Sequence, residues 1–558
     1  MKRRHGRFLL LALTLMGCGA TAGGLVQRWQ HQNAAKPQAE DSEITKSFAE
    51  ATRLVEEKYV VEPERERITR ASISAMLHTL DPHSNFFDRR EFTEMQEEQS
   101  SRFFGIGVTL NERNGGLYVL GVAKDKPAEN AGLRWGDAIV AVDGKETKNW
   151  HMSEALKHVR GDRGVAVTLT VDRAGEPRPI DLRVVRDEVP YPSVRNYFIV
   201  RNGIGYISLT GGFNQATSDE LAGALADLKK QNLGSLVLDL RRNPGGLLKE
   251  AIQVSEVFLP KGRSVVSMKG RDGIFGQRTR TYQSEYSDPE TMPLVVLING
   301  ESASASEIVA GAIQDQDRGL IVGEDSFGKG LVQSVYKLPG GTGLTLTTAK
   351  YYTPSGRSIQ REYNGVSIYD YYRSRMRLQG DGTVGMAPQA TPEQKTVYTP
   401  MGRPLRGGGG ITPDLVVKRS EEDWPMRDAC FAFARQLAAG QVNGFESYKV
   451  TTAQHGYKFK GSEFPAPDSL LADFRAFLRQ NPKFKVLEAS LNNKPEYARR
   501  RIRAEMLGAA YGLETAEQYL LESDEQMQQA IEALARARQM LDTARMFTPE
   551  RAPQPLQR

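Results

Sequence analysis

Three serines and one lysine are the residues best placed to do chemistry in this chain. Ser302, Ser304 and Ser306 alternate along Asn299-Gly300-Glu301-Ser302-Ala303-Ser304-Ala305-Ser306. An apolar run, Leu294 to Ile298, precedes them and reads as one buried strand; Glu307 to Ile313 follows with helical apolar spacing. Serines on a tight strand-to-helix turn lie beside free backbone N–H groups and the positive end of a helix, and both favour a developing oxyanion. A serine hydroxyl is a poor nucleophile until a base takes its proton. No histidine lies in this stretch, so the candidate base is Lys329, in Ser326-Phe327-Gly328-Lys329-Gly330-Leu331-Val332-Gln333. A lysine acts as a base only when neutral, and burial lowers its pKa. Phe327, Leu331 and Val332 supply apolar neighbours, and Gly328 and Gly330 let backbone approach closely. Spacing does not choose among the three serines, which also suit N-cap and turn positions.

The pattern NGESASASEIVAGA…D…GLIVGEDSFGKGLVQ resembles the carboxyl-terminal processing (tail-specific) protease family. The resemblance implies a serine–lysine dyad with Ser304 as nucleophile, Lys329 as general base and Gln333 orienting the lysine. It gives Asp315 a supporting role. Asp239-Leu240-Arg241-Arg242-Asn243-Pro244-Gly245-Gly246 matches the family's oxyanion loop, so the N–H of Gly245 or Gly246 is expected to pair with that of Ala305. The TPSGRSIQ turn after Tyr352 and the AMLHTLDPHSNFFDRREFTEMQ segment also match. His83, in the latter, reads as a loop histidine capping a helix end.

Residues 100–187 read as a small β-rich module. Phe104-Gly105-Ile106-Gly107 is a glycine loop entering a strand, and the AGLRWGDAIVAVDG signature resembles a PDZ domain. Such domains add a peptide's C-terminal strand and hold its carboxylate on backbone N–H groups. Here that loop is Phe104, Gly105, Ile106 and Gly107. Packing against a neighbouring domain is the simpler alternative.

The elements that position these residues follow from length and patterning. With 558 residues, 39% apolar and 25% charged, the chain is long enough for several globular domains. The fold class expected is α/β multidomain. An N-terminal helical region (43–99) and the β-rich module (100–187), a PDZ domain by its resemblance, precede an α/β core (188–420), for which the family resemblance implies a protease fold of the ClpP/crotonase-like type, and a C-terminal helical domain (421–558) follows. In the core, Ile204–Leu209 and Ser235–Leu240 read as strands and Ser218–Gln231 as an amphipathic helix. Gly407 to Gly410 reads as a hinge. The C-terminal patterns at 470–478, 498–511 and 526–546 fit a dimerising arm, a cap or a solvated packing domain.

Residues 1–26 have the form of an export signal, with Lys2, Arg3, Arg4 and Arg7 before a short apolar core. Leu15-Met16-Gly17-Cys18 resembles a lipobox, which would lipidate Cys18; ordinary cleavage and an uncleaved anchor are the alternatives. Residues 27–42 read as a linker. Each version places the rest outside the cytoplasm, in a bacterial periplasm or envelope. Cys430 reads as a buried small hydrophobe, so no disulfide framework is expected.

The expected activity is therefore an exported serine endopeptidase acting at or near protein C-termini. Its partners would be protein or peptide tails, an activating adaptor and further copies of the chain. A net charge of +6 dispersed along the chain, without aromatic–basic interleaving, gives no nucleic-acid face. Seven scattered histidines give no metal-ligand spacing, so neither metal nor cofactor is expected. Two competing readings remain. Ser326 and Lys329 satisfy S-x-x-K, the penicillin-binding arrangement, although flanking glycines oppose the helix it needs. A non-catalytic PDZ scaffold in the envelope is the other.

Overall fold

The computed structural model describes residues 39–271, 279–363, 366, 371–372 and 396–547; the export signal, Cys18 and most of the linker lie outside them. The chain divides into two compact units, Met1–Met76 and Leu77–Arg558. The first contains helix Ala39–Lys58 and most of helix Arg65–His78. Pro63 lies in the break between them and cannot donate an interior helical hydrogen bond. Phe48, Leu54 and Tyr59, which share helical spacing, stay exposed.

In the second unit, a six-stranded sheet carries the turn that holds the three serines. Its order is Val194–Arg201, Ile204–Leu209, Ser235–Asp239, Leu294–Ile298, Leu320–Gly323, Leu415–Val416. The first pair is antiparallel and the others are parallel. Leu294–Ile298 is apolar at every position, and Leu236–Leu238 at the middle of its neighbour, because both faces of the sheet are covered. Leu236, Leu238, Leu294, Val296 and Ile298 pack with helices Thr217–Lys229, Leu248–Glu256 and Ala305–Asp315. Val237, Val295, Leu297, Leu320 and Val322 face the other way, against Met527, Ala530, Ala533, Leu534 and Ala537 of the last helix, Glu525–Phe547. That helix is thus a layer of the catalytic sandwich, neither an arm nor a cap.

A second, antiparallel sheet is built on Gly343–Tyr352, which pairs with Asn85–Phe87, Ser264–Gly270 and Leu331–Lys337. It brings Phe86 opposite Leu344 and Gln333 opposite Thr347. Chain far upstream of the core sheet is thereby laid beside the lysine segment.

The PDZ-like module has its own sheet, ordered Val108–Arg113, Gly116–Val122, Ala138–Val142, Ala166–Asp172, Ile180–Val185, with helix Met152–Val159. A ladder between Arg102–Gly105 and Asp187–Pro190 ties its two ends together. The C-terminal helices pack directly on this module. Phe431 meets Tyr118 and Trp135 edge-on at 5.2 Å, and Arg435 Nε donates to the Gly136 carbonyl at 2.6 Å. Cys430 is buried in the same helix, as its sequence context implies. No helix among the described residues is long and apolar enough to cross a membrane.

Candidate active site

The three alternating serines separate by environment. Ser302 is fully buried, and its hydroxyl donates to the Leu240 carbonyl at 2.8 Å. Ser306 is fully buried and donates to the Asn243 carbonyl at 2.9 Å. Ser304 is partly exposed and sits at φ 55°, ψ −111°, immediately before helix Ala305–Asp315. A positive φ is costly for a residue with a Cβ and persists only when surrounding bonds impose it.

The group that imposes it is Glu307, a residue the sequence reading passed over. Its carboxylate is fully buried and takes four hydrogen bonds. Oε2 accepts from the Ser304 N–H at 2.8 Å and the Lys329 N–H at 2.9 Å. Oε1 accepts from the Ser326 hydroxyl at 2.5 Å and the Gly328 N–H at 2.7 Å. Burial raises its pKa and these donors oppose the rise. The backbones at 304 and 329 therefore meet at one oxygen atom. The signal for it in the sequence is Ser304-Ala305-Ser306-Glu307, the S-x-x-E spacing of a capping box, in which the glutamate takes the N-cap N–H.

The Lys329 ammonium donates to Gln333 Oε1 at 2.9 Å. Burial lowers the lysine pKa, against the opposing charges of Glu307 and Asp81. The Gln333 amide donates onward to the His83 carbonyl. Ser304 and Lys329 share no side-chain hydrogen bond among the described residues; the serine lies near the Tyr351 hydroxyl, where its influence opposes the rise that burial gives the Tyr351 pKa. The Tyr351 hydroxyl also donates to the Lys329 carbonyl.

His83 is not a helix cap. It is 4% exposed, with its ring between the hydroxyls of Tyr371 (2.9 Å) and Tyr372 (3.2 Å). Burial, and then the charge of Lys329, lower its pKa to about 3. Arg361 lies over the Phe327 and Tyr371 rings, at 4.1 and 3.9 Å from their centroids. These groups form an aromatic cluster around His83, whose pKa the lysine's charge helps to lower.

The Asp239–Gly246 loop, the expected oxyanion loop, passes alongside. A Cβ at Gly245 would lie 2.7 Å from both Ser304 Cβ and the Ala303 carbonyl oxygen, so only glycine fits that approach at φ 96°. The Gly245 N–H is occupied by Asn243 Oδ1 at 2.9 Å. Among the described residues, the N–H groups of Gly246 and Ala305 have no acceptor. Of the two glycine amides expected here, the open one is therefore that of Gly246. Asn243 also binds the Leu209 carbonyl at 2.7 Å and fixes the loop to the sheet.

Asp315 lies at the far end of the nucleophile helix. It pairs with Arg357 at 2.7 Å and accepts from the Ser355 hydroxyl at 2.6 Å, anchoring the TPSGRSIQ turn. The S-x-x-K alternative fails. Residues 325–330 are not helical, and Ser326 is fully buried between Glu307 and the Ile411 N–H at 2.6 Å. Nor is Gly407–Gly410 a loose hinge, because Gly408 and Gly410 donate to the Ser358 and Ile359 carbonyls. In the PDZ-like module, Phe104–Gly107 leads into Val108–Arg113, an edge strand facing helix Met152–Val159. No group of three or more His, Cys, Asp or Glu side chains among the described residues is arranged to hold a metal ion.

This is a peptidase site on an α/β sandwich, with a peptide-type module packed beside it. Peptidase family S41 matches residues 203–368, and a PDZ domain matches residues 105–184. The carboxy-terminal-processing protease of Bartonella bacilliformis is 40% identical over 317 residues, spanning 56% of this chain and 72% of that protein. The carboxy-terminal processing protease CtpA of Bacillus subtilis is 31% identical over 363 residues, spanning 65% and 76%. Among solved structures, the photosystem II D1 C-terminal processing protease is 31% identical, covering 56% of this chain and 89% of its own at a TM-score of 0.33. The chain belongs to the carboxy-terminal processing proteases, serine-type peptidases of family S41 that carry a PDZ domain.

Proposed function

We propose that this protein is an exported endopeptidase working through a Ser304–Lys329 dyad on polypeptides presented by their C-termini. Neutral Lys329 takes the Ser304 proton as Oγ attacks the scissile carbonyl. The N–H groups of Gly246 and Ala305 receive the oxyanion, and the lysine returns the proton to the departing amine. Water, deprotonated by the same amine, then releases the acyl group. Gln333 holds the ammonium until substrate draws Nζ toward Oγ; hydrogen bonds at such sites are often loose before substrate arrives and tighten with it. The PDZ loop Phe104–Gly107 receives the tail carboxylate. The basic and apolar composition of residues 1–26 supports export, with lipidation of Cys18 as one route to the envelope. An adaptor and self-association remain compatible partners.

The observation that carries this reading is the shared Glu307 oxygen, which sets the backbones of a partly exposed serine and a desolvated lysine side by side. The test is cleavage of an unstructured polypeptide. Ser304→Ala and Lys329→Ala are each expected to lose at least 10³-fold in kcat/KM while keeping their far-UV circular dichroism. Full activity in either variant would refute the dyad.

A further inference from the structure

The His83 carbonyl decides which end of Gln333 faces the lysine. A side-chain amide has one accepting end and one donating end. The His83 carbonyl takes the donating end, which leaves Oε1 for the Lys329 ammonium at 2.9 Å. Turned over, the amide would point its hydrogens at the ammonium.

That carbonyl is held in turn by a buried carboxylate that the dyad does not account for. Asp81 is 6% exposed. Its Oδ1 accepts from the His83 N–H at 2.8 Å and the Ser84 N–H at 2.9 Å, and its Oδ2 from the Ser84 hydroxyl at 2.7 Å. The His83 carbonyl and the Ser84 N–H belong to one planar peptide group, so fixing the N–H fixes the direction of the carbonyl. The Ser84 hydroxyl accepts from the Thr347 N–H at 3.1 Å, which ties the loop to the strand paired with Gln333. Aspartates often close turns in this way. This one also lies near enough to the lysine for its charge to favour the ammonium.

We propose that Asp81 is a positioning residue for the lysine base: through the peptide joining His83 to Ser84 it fixes the orientation of Gln333, and through Gln333 the place of Lys329 Nζ. The proposal deepens the reading of Lys329 as general base and rests on it. The groups facing the lysine are Glu307 from the helix after Ser304, Tyr351 from strand Gly343–Tyr352, Asp81 and His83 from this loop, and Arg361 beyond His83. His83 stays neutral above about pH 3, and burial keeps Tyr351 protonated. Among the described residues, Asp81 and Glu307 are therefore the anions that favour the ammonium. Glu307 also binds the lysine's own N–H, so Asp81 is the one whose charge can be removed without releasing that segment.

The test is the pH profile of kcat/KM for the full chain on an unstructured polypeptide, with Asp81→Asn and Asp81→Ala. Asp81→Asn keeps an acceptor for the two N–H groups, and the Ser84 hydroxyl can turn to accept from the new amide. The loop stays while the charge goes, so the acid limb should move down by about one pH unit, the low end of the effect of a nearby opposite charge. A role in loop shape alone would leave that limb in place. Asp81→Ala frees the peptide and is expected to lower kcat about 10²-fold, the cost of a displacement of about 1 Å, with little change in KM. Asp81→Asn should recover most of that loss. An Asp81→Asn limb that stays at the parent's pH or moves up, or an Asp81→Ala enzyme with the parent's kcat, would overturn the proposal. If Asp81→Ala unfolds, as far-UV circular dichroism would show, the Asp81→Asn limb alone decides. Lys329→Ala, assayed beside them, separates the two readings. Activity there would overturn the base itself; its loss, with an unmoved Asp81→Asn limb, would overturn the role of Asp81 alone.

Discussion

Glu307→Gln is the sharpest probe of how this site is held. The substitution keeps shape and volume but turns one acceptor oxygen into an NH₂ donor. Each carboxylate oxygen now serves two donors: Ser304 and Lys329 on Oε2, Ser326 and Gly328 on Oε1. Whichever way the amide settles, two buried donors lose their acceptor and face another donor. An unsatisfied buried donor costs about 1–3 kcal/mol, so the site loses about 2–6 kcal/mol, part of it offset because a buried charge is removed. If the amide faces residues 304 and 329, the strained serine turn relaxes. If it faces 326 and 328, the lysine loop moves. A displacement of about 1 Å in a catalytic group can cost about 10²-fold. The expected outcome is a kcat/KM about 10²- to 10³-fold lower, slower labelling by an active-site serine reagent, and a melting temperature lower by several degrees. Unchanged kcat/KM and labelling would show that the carboxylate does not set the serine–lysine geometry.

Three further outcomes follow from the same contacts. Because Lys329 acts when neutral and burial lowers its pKa, kcat/KM should rise with pH and level off below the ordinary lysine value of about 10.4; a rise centred at that value would contradict the desolvated base. Gly245→Ala should abolish cleavage, since its Cβ would lie 2.7 Å from Ser304 Cβ; a fully active variant, assayed on the same substrate, would place the loop elsewhere. His83 titrates near 3 when folded and near 6.5 when unfolded, so its contribution to stability falls as pH drops below about 6.5, by about 2 kcal/mol at pH 5. Urea unfolding of His83→Gln against the parent at pH 7 and 5 should show a smaller acid loss in the variant; equal losses would mean the histidine is not held neutral.

Much of this arrangement is legible in the sequence where backbone and burial act locally. Runs such as Leu294–Ile298 and Leu236–Leu238 read as two-sided buried strands because every residue is apolar, and both are wholly buried. The lysine's link to Gln333 spans only four residues of one segment. What the sequence hides is what the sheets bring from afar. His83 reaches the lysine's partner because Asn85–Phe87 pairs with Gly343–Thr345, more than 250 residues away. Tyr351 reaches the Lys329 carbonyl through the register of the same strand, and no local spacing encodes that register. The last helix was similarly open to several roles, because its alanine-rich face does not say which surface it covers.

The alternation of serines, ambiguous as a pattern, has a physical logic once the contacts are known. Ser304 holds a backbone conformation that an L-residue reaches at a cost of about 1–3 kcal/mol. Beside the Glu307 carboxylate, bonds made by its neighbours hold the turn. Ser302 ties the turn to Leu240, at the end of the adjacent strand, and Ser306 ties the helix start to Asn243. The Ala303 N–H donates to that same Asn243 carbonyl at 3.0 Å. Because Asn243 also positions Gly245, the bonds that strain the serine are the bonds that bring the oxyanion loop against it. Each outer hydroxyl is consumed in this framework, so only the middle serine keeps a partly exposed hydroxyl. Replacing Ser302 or Ser306 with alanine would thus act through the shape of the turn rather than through the chemistry, lowering stability and reaction rate together. Ser304→Ala would spare the fold and remove the reaction.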